Sequence, residues 1–172
     1  MNAIIENLLT RRSTRAFLQK EIPDNELNEI LQAAIYAPSG MGKQTWKFTV
    51  LCNQEKIQQL AELIGRKLGQ KGYDMYRPQV LIIPSNQKEN PHGMEDNACA
   101  LENIFLAAHS FGIGSVWINQ LRTLCDDPEV RALLDEFEIP SDHVVYGMAA
   151  LGYPADAPKK EIHKIGEIRI IK

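Results

Sequence analysis

The densest positive charge of the chain lies in residues 11–15, which read Arg-Arg-Ser-Thr-Arg. An arginine guanidinium presents a planar fork of N–H donors that matches phosphate oxygens, and a serine hydroxyl adds another donor. These residue types predict a site for a compact dianion such as a phosphate group. The alternative is a solvated helix end whose arginines pair with nearby carboxylates. Residues 11–15 are called the basic segment below.

A second stretch, residues 37–46, reads Ala-Pro-Ser-Gly-Met-Gly-Lys-Gln-Thr-Trp and is called the polar loop. Its small residues let backbone donors come close to a flat ligand. The loop is not a nucleoside-triphosphate loop, because that pattern needs Gly at position 37 and Ser or Thr at position 44. Residues 112–114, Gly-Ile-Gly, lack the third glycine of a dinucleotide fingerprint and follow a helix. The basic segment and the polar loop together predict a phosphorylated cofactor.

The remaining chemistry-bearing residues form no catalytic pattern. The four histidines (His92, His109, His143 and His163) lack metal-ligand spacing and are interpreted as surface or hydrogen-bonded core residues. The three cysteines (Cys52, Cys99 and Cys125) are far apart and odd in number, which favours reduced, buried thiols over disulfides or a metal site. An enzyme without its own nucleophile or acid–base pair relies on a cofactor for its chemistry.

Bulk composition limits the class of protein. A length of 172 residues predicts one domain, residues 1–172, and 44% hydrophobic with 24% charged residues is ordinary for a globular protein. A net charge of -3 argues against nucleic acid as a partner. The chain has no run of 18 apolar residues, and its first 30 residues are too charged for a secretory signal. We therefore expect a cytoplasmic protein without a membrane partner.

Hydrophobic periodicity predicts alternating helices and strands. The predicted helices cover residues 2–10, 23–37, 53–68, 95–111 and 128–137. The predicted strands cover residues 47–52, 80–83 (ended by Pro84), 115–118 and 143–151, with a possible final strand over 167–171. This order predicts an α+β protein with one sheet between helices. The helix over 95–111 is apolar on more than a narrow stripe, so we expect it to be central or to pack on a second subunit.

Several segments, in this order along the chain, resemble the FMN-dependent nitroreductase family. They are residues 11–17 (RRSTRAF), 33–39 (AAIYAPS), 44–48 (QTWKF), 112–118 (GIGSVWI), 151–154 (LGYP) and the pair Lys159-Lys160. The resemblance covers nearly the whole chain. It implies a nitroreductase-like α+β fold, with a central, mostly antiparallel sheet flanked by helices. It also implies an intertwined homodimer that holds one FMN in each of two clefts between its subunits.

The resemblance also implies an activity. NADH or NADPH would reduce the flavin and leave before a small electron acceptor, such as a nitroaromatic or a quinone, is reduced at the same face. Two alternatives remain open. One is a specialised relative that dehalogenates, oxidises a ring or consumes its flavin. The other is a flavin-binding or redox-sensing protein without efficient turnover. The sequence identifies neither the physiological acceptor nor a preference for NADH or NADPH.

Site residues follow from the resemblance position by position. Arg11 and Ser13 match contacts to the FMN phosphate and ribityl chain, Arg12 commonly joins them, and Arg15 matches a cation near flavin N1 and O2. The partner subunit's loop would supply the residues at Pro38, Ser39, Gly40 and Gln44. Trp117, Ile118 and Asn119 match the segment along the flavin N5 edge, and Lys159 or Lys160 matches a C-terminal phosphate contact.

The match departs from the family at Gly42, where Asn is usual, and at Thr45, where Pro is usual. It also has Lys where the C-terminal contact is usually Arg. Several of these residues also have ordinary structural interpretations. Trp46 and Trp117 would be core aromatics, Lys159-Lys160 a surface pair, and Arg12 a partner in a helix-end salt bridge.

Overall fold

The computed structural model describes residues 2–156 and 164–172. In these residues the chain forms one sheet with helices on both faces. The helices are α1 Ala3–Thr10, α2 Asp24–Ile35, α3 Gln54–Lys67, α4 Gly93–Ser110 and α5 Pro128–Glu136, with short 3₁₀ turns at Gly40–Gly42 and Gln120–Thr123. The strands are β1 Trp46–Leu51, β2 Val80–Gln87, β3 Gly114–Ile118, β4 His143–Val144 and β5 Met148–Gly152.

The sheet is antiparallel, with the order β1-β2-β5-β3 and with β4 beside the far end of β2. Side chains alternate between its two faces, so each face has its own core. One core joins β-strand residues such as Ile83 to α3 and α5, and the other joins residues such as Ile82 to α2 and α4. The predicted α+β fold with an antiparallel sheet between helices is confirmed.

Local side chains set the predicted helix boundaries. The Asn53 side chain accepts the Lys56 N–H at 3.0 Å and starts α3. Asp127 accepts the N–H groups of Glu129 and Val130 and starts α5 at Pro128. Gly112, with φ +70°, ends the turn after α4 in the left-handed conformation that glycine adopts without strain.

The expectation that Pro84 ends the second strand is wrong, because β2 continues through it to Gln87. Proline lacks a backbone donor and is tolerated where no neighbouring strand needs one. Pro84 lies beyond the last β2–β5 pair, Ile82 with Ala149, and before the first β2–β4 pair, at Asn86. In this gap the Pro84 carbonyl accepts the Asn97 side-chain amide from α4 at 3.2 Å.

Two other strand predictions need correction. The predicted strand over 143–151 is two strands, β4 and β5, separated by residues 145–147. The interruption lies where the Trp117 side chain covers the backbone at Gly147. In the part of the chain that the structure describes, residues 167–171 form no strand; pairing with another chain stays a prediction.

Helix α4 is central, as expected: it packs against α1, α2 and four of the five strands. The expectation of buried thiols holds only for Cys125, since Cys99 is half-buried and Cys52 is exposed where β1 ends. Burial raises the pKa of the Cys125 thiol, which makes it a poor nucleophile.

Candidate functional site

The basic segment lies beside β3. Ser13 pairs with Ser115 in an isolated parallel bridge, and the Thr14 N–H donates to the Ser115 carbonyl at 2.9 Å. Position 114 must be glycine, because a Cβ there would lie 2.5 Å from Thr14 Oγ1. The backbone of the basic segment is therefore fixed against the sheet before any ligand binds.

The donors of the basic segment are largely unpaired. The Ser13 hydroxyl and the Arg15 guanidinium are exposed and have no partner in the part of the chain that the structure describes. Arg11 lies over the Phe105 ring at 5.8 Å from its centroid, and no described carboxylate forms an ion pair with it. Guanidinium and hydroxyl donors without a protein counter-charge fit a dianionic phosphate.

Arg12 lies at the end of α1, but it bonds to backbone carbonyls there and forms no salt bridge with a described carboxylate. Its Nη1 donates at 3.1–3.2 Å to the carbonyls of Leu9 and Thr10, the last two of α1, and to the carbonyl of Arg11, which follows the helix. A cation at this end also offsets the negative end of the helix dipole. Arg12 therefore shapes the turn that leads into the basic segment, and phosphate binding through its other nitrogens stays a proposal.

His109 joins this region without any signal in the sequence. Its Nε2 lies 2.9 Å from Thr10 Oγ1, so the last turn of α4 is bonded to the last turn of α1. Burial, followed by the charges of Arg11 and Arg12, lowers the pKa of His109. The lowered pKa favours the neutral imidazole, which does not offset the positive charge that the basic segment presents to an anion. Residues 10 and 109 meet only through the packing of two helices, so no local spacing predicts the contact.

An aromatic series leads away from Arg11 along the sheet. The buried Phe105 ring touches the Trp117 ring, with centroids 6.2 Å apart. The Trp117 indole lies against the backbone at position 147, where a Cβ would come within 2.5 Å of it. Trp117 is still 39% exposed, so its outer face is open to a ligand. It is thus a surface-facing ring rather than a core aromatic.

The rest of the predicted β3 segment contributes in two ways. Ile118 is 2% exposed and packs in the core with α3 and α5, so only its backbone can meet a ligand. Asn119 is exposed, and its side-chain oxygen lies 3.4 Å from the Trp117 indole nitrogen. Lys159 and Lys160 lie outside the described residues, and their role stays a prediction.

The polar loop is at the other end of α4. The Gly40 N–H donates to Asp96 Oδ1 at 2.7 Å, in the first turn of the helix, whereas the basic segment meets the same helix at Phe105 and His109. At 1.5 Å per residue these contacts are about 13–20 Å apart along the helix axis. Pro38 and Gln44 are exposed, and Ser39 and Gly40 half-buried. One chain therefore does not bring the two predicted parts of the site together.

The polar loop rests on buried polar residues that the sequence analysis did not single out. Asn90 donates to Asp96 Oδ2 at 3.0 Å and to Thr45 Oγ1 at 2.9 Å, and the Thr45 hydroxyl donates to Asn86 Oδ1 at 2.6 Å. Asn86, Asn90 and Asp96 are 0–7% exposed. The excess of Asn and Asp between β2 and α4 was the available signal, but their convergence depends on the fold.

Other features of the described residues do not suggest a competing site. Clefts of about 530 and 570 Å³ border α3, and neither shares a residue with the predicted set. Within residues 2–156 and 164–172, no group of three His, Cys, Asp or Glu side chains is placed to hold a metal ion. In the same residues no helix has the length and apolar character needed to span a membrane.

Comparison with known proteins identifies one family. A model described as the nitroreductase family matches residues 8–75 and 66–153. A protein of Archaeoglobus fulgidus, provisionally named as an NADH dehydrogenase or NAD(P)H nitroreductase, is 32% identical over 158 residues, which cover 91% of this chain and 88% of that protein. An FMN reductase (NADPH) of Bacillus subtilis is 27% identical over 180 residues, covering 94% of this chain and 70% of that protein.

Solved structures agree. A nitroreductase from Bacteroides fragilis with bound FMN is 43% identical, with a TM-score of 0.94 over the full length of both chains. A second, an FMN-dependent nitroreductase from Clostridium difficile, is 33% identical with a TM-score of 0.78, covering 92% of this chain and 91% of that one.

Proposed function

Because the chain belongs to the nitroreductase family, we propose that it reduces nitroaromatics, quinones or similar small acceptors in a ping-pong cycle. It is an NAD(P)H-dependent flavin oxidoreductase with FMN as cofactor and NADH or NADPH as co-substrate. Bound FMN supplies the two-electron chemistry, which accounts for the absence of a nucleophile or acid–base pair in the sequence.

The basic segment carries the proposal. Arg11 and Ser13 hold the FMN phosphate, since their donors lack a counter-charge among the described residues and their backbone is fixed by β3. His109, neutral and bonded to Thr10, leaves that charge undiminished. Arg15, two residues beyond Ser13, lies toward the ring end of the cofactor and stabilises negative charge there. Trp117 and Asn119 line the ring, with the backbone of Ile118.

We further propose that the active protein is a homodimer in which the partner's polar loop completes each site. The separation of about 13–20 Å between the two predicted parts in one chain supports this arrangement. Helix α1 buries none of its residues and exposes Ile4, Ile5, Leu8 and Leu9. Residues 164–172 expose four isoleucines, Ile165, Ile168, Ile170 and Ile171. Apolar surface of this extent is typical of permanent interfaces.

Flavin absorbance tests the activity directly. The purified protein should be yellow, with about one FMN per chain. NADH or NADPH under anaerobic conditions should bleach the flavin band, and addition of a nitroaromatic or a quinone should restore it. A yellow protein that neither nicotinamide nucleotide bleaches would instead be a flavin-binding or redox-sensing protein. A colourless protein that does not take up added FMN would contradict the proposal itself.

Sedimentation tests the assembly. At low micromolar concentration the flavin-loaded protein should sediment at twice the 19.4 kDa chain mass. A monomer that retains FMN would contradict a site shared between subunits.

A further inference from the structure

The polar loop is attached to the protein at both ends through one buried set of hydrogen bonds. We call its members Thr45, Asn86, Asn90 and Asp96 the polar cluster. We propose that Thr45 and Asp96 are positioning residues, which hold the polar loop in its flavin-contacting conformation before cofactor or partner binds. This inference rests on the proposed role of the loop in the shared FMN site.

Asp96 fixes the start of the loop. Its side chain is 2% exposed and accepts the Gly40 N–H at 2.7 Å and the Asn90 amide at 3.0 Å. No Lys, Arg or His among the described residues forms an ion pair with it. A buried carboxylate without a cation depends on its hydrogen bonds and on the positive end of its helix, here the first turn of α4. The Gly40 N–H is thus one of the few groups that stabilise this charge.

Thr45 fixes the end of the loop. Its hydroxyl donates to Asn86 Oδ1 at 2.6 Å and accepts from Asn90 at 2.9 Å. Because Asn90 also donates to Asp96, one side chain bonds to the anchors of both loop ends. Proline, which the resemblance leads one to expect at position 45, has no hydroxyl and would make neither bond. Thr45, which stands where proline is usual in the family, therefore has a structural role in this chain.

The loop needs such anchors because its own conformation is unfavourable. Met41 and Gln44 have φ values of 57° and 49°, a region that residues with a Cβ seldom adopt. Position 40 lies so close to the His92 ring that a Cβ would come within 2.6 Å of it. Without contacts from outside, residues 40–44 would relax to commoner backbone conformations. The polar cluster supplies those contacts from β2 and α4.

A purely structural role predicts a different outcome from a positioning role. A structural residue lowers the unfolding free energy when it is replaced and changes FMN binding only as far as stability changes. A positioning residue changes FMN release more than an equally destabilising substitution elsewhere does. The rate of FMN release from the folded holoenzyme is therefore the deciding measurement, with unfolding free energy of the apoprotein measured beside it.

The test compares isosteric and conservative variants. Thr45→Val removes the hydroxyl at constant shape, whereas Thr45→Ser keeps it. Asp96→Asn keeps one acceptor but presents an amide donor to the Asn90 amide. Val130→Ala, in the buried face of α5 away from the loop, serves as the stability control, and Glu95→Gln is an exposed control beside Asp96.

We expect Thr45→Val and Asp96→Asn to release FMN at least three-fold faster than wild type, and Thr45→Ser and both controls to stay within two-fold. Should Asp96→Asn fail to fold, the Thr45 pair decides alone. Wild-type release from Thr45→Val, or equal acceleration by Val130→Ala, would overturn the inference. Loss of FMN by Arg11→Ala in the same series shows that the proposed function stands even then. If wild type itself does not bind FMN, the proposed function fails first.

Discussion

Replacing Gly147 with alanine would push a new methyl group into the Trp117 indole. The ideal Cβ lies 2.5 Å from Cε2 and 2.6 Å from Cζ2 and Nε1 of that ring, closer than any real contact. The φ of Gly147 lies outside the left-handed region, so alanine adds no backbone strain and the whole cost comes from the ring. Trp117 is 39% exposed and has room to swing outward.

The expected loss of stability follows from two opposing effects. Overpacking that forces a neighbouring side chain to shift costs about 1–3 kcal/mol. Removing glycine flexibility from the unfolded chain returns about 0.4–1 kcal/mol. Gly147→Ala should therefore lower the unfolding free energy by about 0.5–2 kcal/mol, or the Tm by roughly 2–4 °C for each kcal/mol. Tryptophan fluorescence should also change, because one of only two indoles in the chain moves.

A double-mutant cycle isolates the contact. Trp117→Ala removes the indole atoms that would collide, so in that background Gly147→Ala should become neutral or stabilising. The coupling energy between the two sites should then be about 1–3 kcal/mol, measured by denaturant unfolding. Strictly additive effects, with unchanged fluorescence for Gly147→Ala alone, would refute the placement of the indole on the backbone.

Three other substitutions give expected outcomes. Arg11→Ala should weaken FMN binding by about 1.5–3 kcal/mol, the usual worth of a charge-assisted hydrogen bond, which a dialysis series at moderate salt measures; unchanged retention would remove Arg11 from the site. Arg15→Gln should lower the two-electron potential of bound FMN by about 30 mV, which corresponds to roughly 1.4 kcal/mol. Spectroelectrochemical titration measures this potential, and an unchanged value in the variant would show that Arg15 does not lie near the flavin ring. The side chain of His143 is 7% exposed and lies 3.0 Å from Ser85 Oγ; burial lowers its pKa, so the unfolded chain takes up the proton first as pH falls. The resulting stability is present above the ordinary histidine pKa of about 6.5, and the unfolding free energy falls as the pH drops below that value. His143→Gln should therefore make the unfolding free energy depend less on pH in this range. An unchanged slope of unfolding free energy against pH would contradict this.

The fold was predictable where a local side chain decides the backbone. Asn53, Asp127 and Gly112 act on groups within a few residues, and the helices they bound are as predicted. The end of β2 was not, because Pro84 faces β1 on one side but lies in the gap between β5 and β4 on the other, where Asn97 of α4 donates to its carbonyl. Local patterns carry no information about which strand edge is left open.

The candidate site, like the fold, was predictable only where its residues are neighbours in the sequence. The basic segment is contiguous in sequence, so its charge was readable before its position on β3 was known. The polar cluster was not readable, because Thr45 and Asn86 meet through β1–β2 pairing and Asp96 joins them from a helix. His109 was missed for the same reason, since its partner Thr10 belongs to a different helix. The assignment of individual residues to FMN atoms stays a proposal.

The position of the polar loop and the basic segment at opposite ends of α4 has a genetic consequence. In the proposed homodimer each chain gives its arginines to one site and its loop to the other. A chain impaired at Arg11 and a chain impaired at Gly40 would each form homodimers with two damaged sites. Their heterodimer combines the intact loop of the first with the intact arginine of the second at one site, and gathers both defects at the other. Two inactive alleles would thus complement each other, restoring up to one working site per heterodimer.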